Sequence, residues 1–255
     1  MATTVVKLKQ VELGSGRPKI AVPITGENQV EVLAQATAIV QAKPDIVEWR
    51  LDYFQNILNV DDYRETAIKL IERLNDIPLL TTFRTEKEGG EMTLGITDYV
   101  SIYQQVISNH LTDALDLELF LPKTVVSELV AAAQDADIAV IMSSHDFQKT
   151  PVKEEIISRL EKMDQLGADV AKIAVMPQSG SDVATLLAAT AAAHEKLKTP
   201  IISMAMGKLG KVSRISGEVF GSVLTFGTVG SASAPGQIEL PALRREIAQL
   251  ALDKM

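Results

Sequence analysis

One lysine interrupts an otherwise apolar segment. Lys172 lies in DVAKIAVMP, a run typical of a strand that is buried on both faces of a parallel sheet. Burial disfavours the charged form of an amine, and the free amine is a nucleophile that forms a Schiff base with a ketone or aldehyde. The alternative is a structural lysine that reaches solvent or pairs with Asp116 or Glu118.

A histidine follows a second apolar segment. His145 stands in SSHDFQKTP, directly after a run typical of a buried strand. An imidazole beside a Schiff-base lysine can transfer the proton of the carbon next to the imine. The alternative is a structural histidine whose hydrogen bonds are satisfied by Asp146 or by the neighbouring Ser and Thr residues.

Several arginines are candidates for ligand binding in a chain whose formal charge is −8. Arg214, in GKVSRIS, has a guanidinium group that can bind a carboxylate through two parallel hydrogen bonds. The alternative is a surface ion pair with Glu218, four residues along a helix. The same choice between a ligand and a nearby carboxylate applies to Arg50, with Glu48 or Asp52, and to Arg84, with Glu86 or Glu88.

These residues lie in or directly after strand-like segments that recur about every thirty residues, as in repeated βα units. Amphipathic segments such as Val60–Asn75 and Lys153–Leu166 separate them. The pattern predicts a single-domain (β/α)8 barrel over residues 1–255, with a doubly wound open sheet as the alternative. Side chains at the carboxyl ends of barrel strands meet at one mouth, where the active sites of this fold lie. The eight segments are KIAVPI, DIVEWRLD, LLTTFR, ALDLEL, IAVIMSSHD, DVAKIAVMP, IISMAM and SVLTFG.

Composition excludes several classes of function. The acidic balance and the 4% aromatic content argue against binding to nucleic acid or to an anionic membrane. The chain has no cysteine and three scattered histidines, so we expect no metal site. GxxxxGK[ST], GxGxxG after a strand, HExxH and GxSxG are all absent from the sequence. Without a signal-peptide core or a long apolar run, we expect a soluble cytoplasmic protein.

Several motifs together resemble the type I 3-dehydroquinate dehydratases. The resemblance extends in order from about Lys19 to about Ile238. It implies a (β/α)8 enzyme that dehydrates 3-dehydroquinate to 3-dehydroshikimate in the shikimate pathway without a cofactor, and it suggests a homodimer. The motifs are EWRLDYF, TFRTEKEGGE, DLELF, MSSHDFQKTP, AKIAVMPQSGSDV, SRISGEVFGSVLTFG and SASAPGQI.

The resemblance also implies a role for each matching residue. Lys172 is the Schiff-base lysine, His145 the general acid and base, and Glu88 the residue that orients the histidine. Pro23 departs from the pattern, since some members have a serine there, and we leave it out of the site. The implied substrate-binding residues are Glu48, Arg50, Arg84, Met204, Met206, Arg214, Phe226, Ser233 and Gln237.

Two other functions fit parts of the pattern. A class I aldolase of the same barrel type also needs a lysine on the sixth strand, but many such enzymes bind sugar phosphates through a Gly-rich site near strands 7 and 8. A barrel without activity, kept as a binding module, is disfavoured because Lys172 and His145 are both present. The segment Gly230–Gln237 is rich in small residues, and we expect it to be a mobile lid.

Exhaustive treatment with EDTA is expected to leave the dehydration of 3-dehydroquinate at its full rate, because the sequence offers no ligand set for a metal. The rate is measured from the absorbance of the conjugated enone product. A loss of rate that a divalent ion restores would contradict the expectation.

Overall fold

Strands and helices alternate along the chain as the sequence predicts. The computed structural model describes residues 3–230 and 233–252. The strands are β1 Val6–Leu8, β2 Val11–Leu13, β3 Lys19–Ile24, β4 Ile46–Arg50, β5 Leu79–Thr82, β6 Ala114–Glu118, β7 Ala139–Asp146, β8 Val170–Val175, β9 Ile201–Ala205, β10 Leu224–Thr228 and β11 Ile238–Glu239. The helices are α1 Gln29–Ala42, α2 Val60–Leu74, α3 Ile96–Ser108, α4 Lys123–Asp135, α5 Lys153–Gln165, α6 Gly180–Lys196, α7 Lys211–Ile215, α8 Gly217–Phe220 and α9 Leu240–Gln249.

The parallel sheet curls into a barrel. Strands β3 to β9 pair in chain order, and β10 pairs with β3. The amino end of β10 also contacts β9. Ile201 and Ser222 form a bridge, and the Val223 N–H donates to the Ile201 carbonyl at 2.8 Å. The predicted (β/α)8 architecture is confirmed, and the alternative of an open sheet is wrong. The short β11 pairs with the upper half of β10.

An N-terminal hairpin covers the amino end of the barrel. Strands β1 and β2 pair antiparallel, and Leu8 and Leu13 are buried in an inner core with residues near the strand starts, such as Ile46 and Leu224. The sequence analysis did not predict this hairpin, because each strand is only three residues long. An apolar layer therefore fills the barrel at the amino ends of its strands, here called the lower barrel.

The upper barrel is polar because side chains on a strand alternate between its two faces. Ile46, at the amino end of β4, belongs to the inner core, and the next residues on the same face of the strand are Glu48 and Arg50. In the same way β6 places Asp116 and Glu118 above the inner-core residue Ala114. In these two strands the charged groups thus face the interior above the apolar layer.

The helices pack around the outside of the sheet. Trp49 points outward from β4 and stacks on Tyr63 of α2, with ring centroids 5.5 Å apart. The Ala-rich segment forms one helix, α6, which begins at a capping box between Ser179 and Asp182. In the described part of the chain, none of the helices has the length and apolar character needed to cross a membrane.

Leu13→Ala is expected to lower the free energy of unfolding by about 2–5 kcal/mol, because it leaves a cavity in the inner core. Leu58, which is 58% exposed, supplies the matched control, and Leu58→Ala should change stability by less than ~0.5 kcal/mol. Urea unfolding measures both. Equal losses in the two variants would show that the hairpin does not contribute to the core.

Candidate active site

A cavity of about 210 Å³ lies at the carboxyl ends of the barrel strands. All twelve residues singled out by the sequence analysis line it, so the fold brings them into one place. Active sites of this fold lie at this end of the barrel. The twelve are Glu48, Arg50, Arg84, Glu88, His145, Lys172, Met204, Met206, Arg214, Phe226, Ser233 and Gln237.

Lys172 is buried at the floor of this cavity and is 3% exposed. Its Nζ donates to Asp116 Oδ2 at 2.8 Å and lies 4.7 Å from the centroid of the Phe226 ring. Burial opposes ionisation of Asp116, but the positive charges of Arg84 and Lys172 outweigh it and hold the pKa of Asp116 well below its usual range. Asp116 is therefore a fixed negative charge beside the amine.

Arg84 connects two carboxylates of β6 with that of Glu88 in the loop after β5. Its guanidinium lies 2.8 Å from Asp116 Oδ1, 3.0 Å from Glu118 Oε1 and 3.6 Å from Glu88 Oε2. Burial works against its charge, yet these carboxylates raise the pKa of Arg84 well above its usual value. Arg84 thus pairs with Glu88, one of the carboxylates that the sequence left open, and it also lines the cavity. A buried cation of this kind is stable only because it is so fully paired.

Glu88 and His145 form a second buried pair. Glu88 Oε2 accepts from the His145 backbone N–H at 3.0 Å and lies 2.8 Å from Nδ1 of its ring. Burial, together with Arg84 and Lys172, lowers the pKa of His145 well below its usual value. Burial, with Glu118 nearby, raises the pKa of Glu88 to about 8. The imidazole is therefore neutral, and in the tautomer whose Nδ1–H donates to Glu88 the Nε2 atom is free to accept a proton.

The loop that carries Glu88 depends on two glycines. Gly89 has φ +83°, and a Cβ there would lie 2.4 Å from the Phe147 ring. At Gly90 a Cβ would lie 1.9 Å from the Arg84 carbonyl oxygen, so the chain folds closely onto itself. Thr85 fixes the start of the loop, since its N–H and Oγ1 both donate to Glu118.

Arg214 differs from the other arginines of the cavity. It is 1% exposed, and its Nη2 donates to the Pro235 carbonyl at 3.1 Å while Nη1 lies 3.8 Å from Met204 Sδ. Within residues 3–230 and 233–252, its Nε has no hydrogen-bond partner and no carboxylate pairs with the guanidinium. Burial accordingly lowers the pKa of Arg214 to about 10. The alternative pairing with Glu218 is not found, and an unbalanced positive charge faces the cavity.

Arg50 and Glu48 are held by neighbours on the same side of the cavity. Arg50 donates from Nε and Nη2 to Asp52 at 2.8 and 2.7 Å, the pairing that the sequence analysis kept open. Glu48 Oε1 accepts from Thr82 Oγ1 at 2.8 Å. The positive charge of Arg50 is thus balanced by Asp52, and Arg50 still lines the cavity.

Part of the predicted lid lies against the cavity. Gln237 accepts from the Ser233 N–H through Oε1 at 2.9 Å and donates to Ser233 Oγ through Nε2 at 3.2 Å. The Pro235 carbonyl accepts from the Gly207 N–H at 3.1 Å as well as from Arg214. Ser231 and Ala232 lie outside the described residues. Hydrogen bonds to one carbonyl hold this segment, and its mobility stays a prediction.

The sequence analysis missed other residues that build the site. It considered Asp116 and Asp52 only as alternative partners of Lys172 and Arg50, and it did not consider Ser143. In the structure Ser143 Oγ donates to Asp116 Oδ1 at 2.5 Å and accepts from Arg84 at 3.0 Å. The available signal was its position two residues before His145, because residues with that spacing share a face of the strand.

Comparisons with known proteins point to one family. The family model for type I 3-dehydroquinase matches residues 20–253. The 3-dehydroquinate dehydratase of Lactiplantibacillus plantarum is 52% identical over 97% of this chain and 98% of that protein. That of Enterococcus faecalis is 45% identical over 94% of this chain and 95% of that protein.

Solved structures agree with the sequence matches. The type I enzyme of Clostridium difficile, solved with covalently modified comenic acid, matches with a TM-score of 0.95 and 44% identity over 97% of this chain and 98% of that one. The 3-dehydroquinate dehydratase of Geobacillus kaustophilus also gives a TM-score of 0.95, with 33% identity over 98% of this chain and 97% of that one.

The His145 imidazole is expected to stay neutral at pH 6.5, because its pKa lies well below the usual value. Nitrogen-15 NMR of the histidine rings measures this, and His145→Ala assigns the signal. The acid limb of kcat/KM should correspondingly lie below pH 6.5, since only the neutral ring is a base. Protonation of both ring nitrogens at pH 6.5 would contradict the assignment.

Proposed function

The chain belongs to the type I 3-dehydroquinase family, which dehydrates 3-dehydroquinate to 3-dehydroshikimate, and we propose that Lys172, His145 and Glu88 carry out this reaction. One observation carries the proposal. The buried amine of Lys172 lines the same cavity as the neutral imidazole that Glu88 holds. A nucleophilic amine and a base at one cavity are what a Schiff-base elimination needs.

The first step forms the imine. The ammonium group of Lys172 gives one proton to the C3 ketone oxygen of the substrate and adds to C3 as the amine, and that oxygen leaves as water with a second proton from the nitrogen. The resulting iminium nitrogen keeps one N–H, which can donate to Asp116 Oδ2 as the amine does now at 2.8 Å. The negative charge of Asp116 thereby stabilises the positive charge of the iminium.

The second step removes water from the ring. His145 takes the C2 proton at Nε2, and the electron pair of that C–H bond moves toward the iminium nitrogen to give an enamine. The enamine expels the C1 hydroxyl, which leaves as water with the proton from His145. Hydrolysis of the conjugated iminium then releases 3-dehydroshikimate and the Lys172 amine. Glu88 fixes the ring through Nδ1 in both proton transfers.

The arginines of the cavity favour a substrate with one carboxylate. Arg50 pairs with Asp52, and Arg84 pairs with three carboxylates, whereas Arg214 pairs with none in the described part of the chain. A single unbalanced cation matches the substrate carboxylate better than the phosphate groups of many aldolase substrates. This charge balance favours the dehydratase over the aldolase alternative.

The remaining cavity residues have roles set by their chemistry. Ser233 and Gln237 lie beside Arg214 and Pro235 and supply donors for substrate oxygens. Met204, Met206 and Phe226 form an apolar wall near Lys172, which limits water at the imine. Hydrogen bonds to the ring hydroxyls come from Glu48, Arg50 and Arg84.

Three broader features belong to the same proposal. The resemblance to the family suggests that residues 1–255 act as one catalytic domain, that the chain is a homodimer, and that it works in the cytoplasm. Light scattering on the purified protein tests the second feature, since a monomer at assay concentration would contradict it.

Lys172→Ala is expected to lower turnover at least ~10³-fold, because in the described part of the chain no other lysine lines the cavity. The fold should persist, since Asp116, the partner of the removed charge, keeps its ion pair with Arg84. Lys208→Ala, at an exposed position, is the matched control and should keep its activity. Turnover in Lys172→Ala near that of the control would contradict the role of Lys172.

His145→Ala is expected to form the imine but to eliminate water at least ~100-fold more slowly, because only the proton transfers need the imidazole. Borohydride added with substrate should still reduce the imine and raise the mass of the variant. The slower elimination of water is measured as a lower turnover rate. A variant that turns over normally, or one that cannot be trapped, would not fit this division of roles.

A further inference from the structure

Asp52 is a buried carboxylate that binds four N–H groups. It lies in the 3-10 turn Leu51–Tyr53 after β4 and is 1% exposed. Besides the Nε and Nη2 atoms of Arg50, it accepts the backbone N–H of Arg84 at 3.3 Å and that of Glu91 at 3.1 Å. A buried carboxylate needs such partners, and these four account for both of its oxygens.

The two backbone contacts are at the ends of one segment. Residues 84–91, here named the Glu88 loop, begin at the end of β5 and carry Glu88 between them. Arg84 is its first residue and Glu91 its last, so Asp52 joins both ends to the turn after β4. Asp52 is not among the residues that line the cavity.

Asp52 attaches both ends of a loop that also closes on itself, since the Gly90 N–H donates to the Thr85 carbonyl at 2.9 Å. Gly89 and Gly90 permit its tight fold but also give the unattached chain more freedom than other residues would. Thr85 and Glu118 fix the first part of the loop. Beyond the glycines, the Glu91 N–H is held by Asp52 Oδ2. A shift of this end moves Glu88, whose Oε2 holds the His145 ring.

We propose that Asp52 is a positioning residue for the base: it holds the Glu88 loop closed and thereby orients His145 through Glu88. The proposal rests on the role given above to His145. If Asp52 only paired with Arg50, its loss would change substrate binding and therefore KM. Small displacements of a catalytic group can lower a rate by ~10²-fold, so the effect is expected in kcat.

Two double-mutant cycles test the route of the effect. Asp52→Asn keeps the shape of the side chain but removes its charge and one acceptor, and it should lower kcat at least ~10-fold with little change in KM. In the Glu88→Gln background the same substitution should cost less than ~2-fold, and in the Arg50→Ala background it should keep its full effect. Asp76→Asn, the same change at an exposed loop position, is the matched control.

The opposite pattern overturns the proposal. Equal losses of kcat in the wild-type and Glu88→Gln backgrounds, or a loss that disappears in the Arg50→Ala background, would make Asp52 a partner of Arg50 alone. An unchanged kcat in Asp52→Asn would exclude any role in the reaction.

A spectroscopic signature separates this proposal from the proposed function. The proton NMR signal of His145 Nδ1–H should move in Asp52→Asn and stay in place in Asp76→Asn, and it is read without turnover. Wild-type protein that lacks dehydratase activity would refute the proposed function, whereas an unmoved Nδ1–H signal refutes the role of Asp52.

The wild-type chain supplies a test if Asp52→Asn does not fold. The Glu91 amide should exchange slowly with solvent although its residue is exposed, because its acceptor is a buried carboxylate. Exchange of that amide at the rate of an unprotected loop would overturn the proposal by itself.

Discussion

The site depends on the mutual neutralisation of buried charges above an apolar floor. Arg84 and Lys172 share Asp116, while Arg84 also reaches Glu118 and Glu88. Any one of these groups alone would be costly to bury, and the shared partners keep each of them paired. The strands that carry them must therefore hold their register, which the apolar lower barrel and the N-terminal hairpin provide.

Charge pairing also determines which groups are left for a ligand. Asp52 balances Arg50, and the carboxylates balance Arg84, but among the residues that the structure describes Arg214 is held only by a carbonyl and a sulfur atom. The unbalanced cation lies on the side of Pro235, whereas the amine and the imidazole are held by Asp116 and Glu88. The cavity thus separates binding of an anion from the chemistry at the ketone.

Sequence patterns predicted the features that depend on a single segment of the chain. The strand segments, Lys172 inside its apolar run and His145 after another follow from local alternation, and the resemblance supplied the remaining roles. Partners across strands were harder, because the contact of Ser143 with Asp116 depends on the register of β6 and β7. The backbone contacts of Asp52 and of Pro235 were out of reach, since loop geometry decides them and side-chain type does not.

Peptide mapping of the wild-type protein after borohydride reduction with substrate tests most directly whether the paired, buried amine is the nucleophile. The reduced adduct should lie on Lys172 alone, with one substrate-derived group per chain, because this amine lines the cavity beside the base. An adduct on Lys208 or Lys211, or no adduct while turnover proceeds, would contradict the Schiff-base mechanism at Lys172.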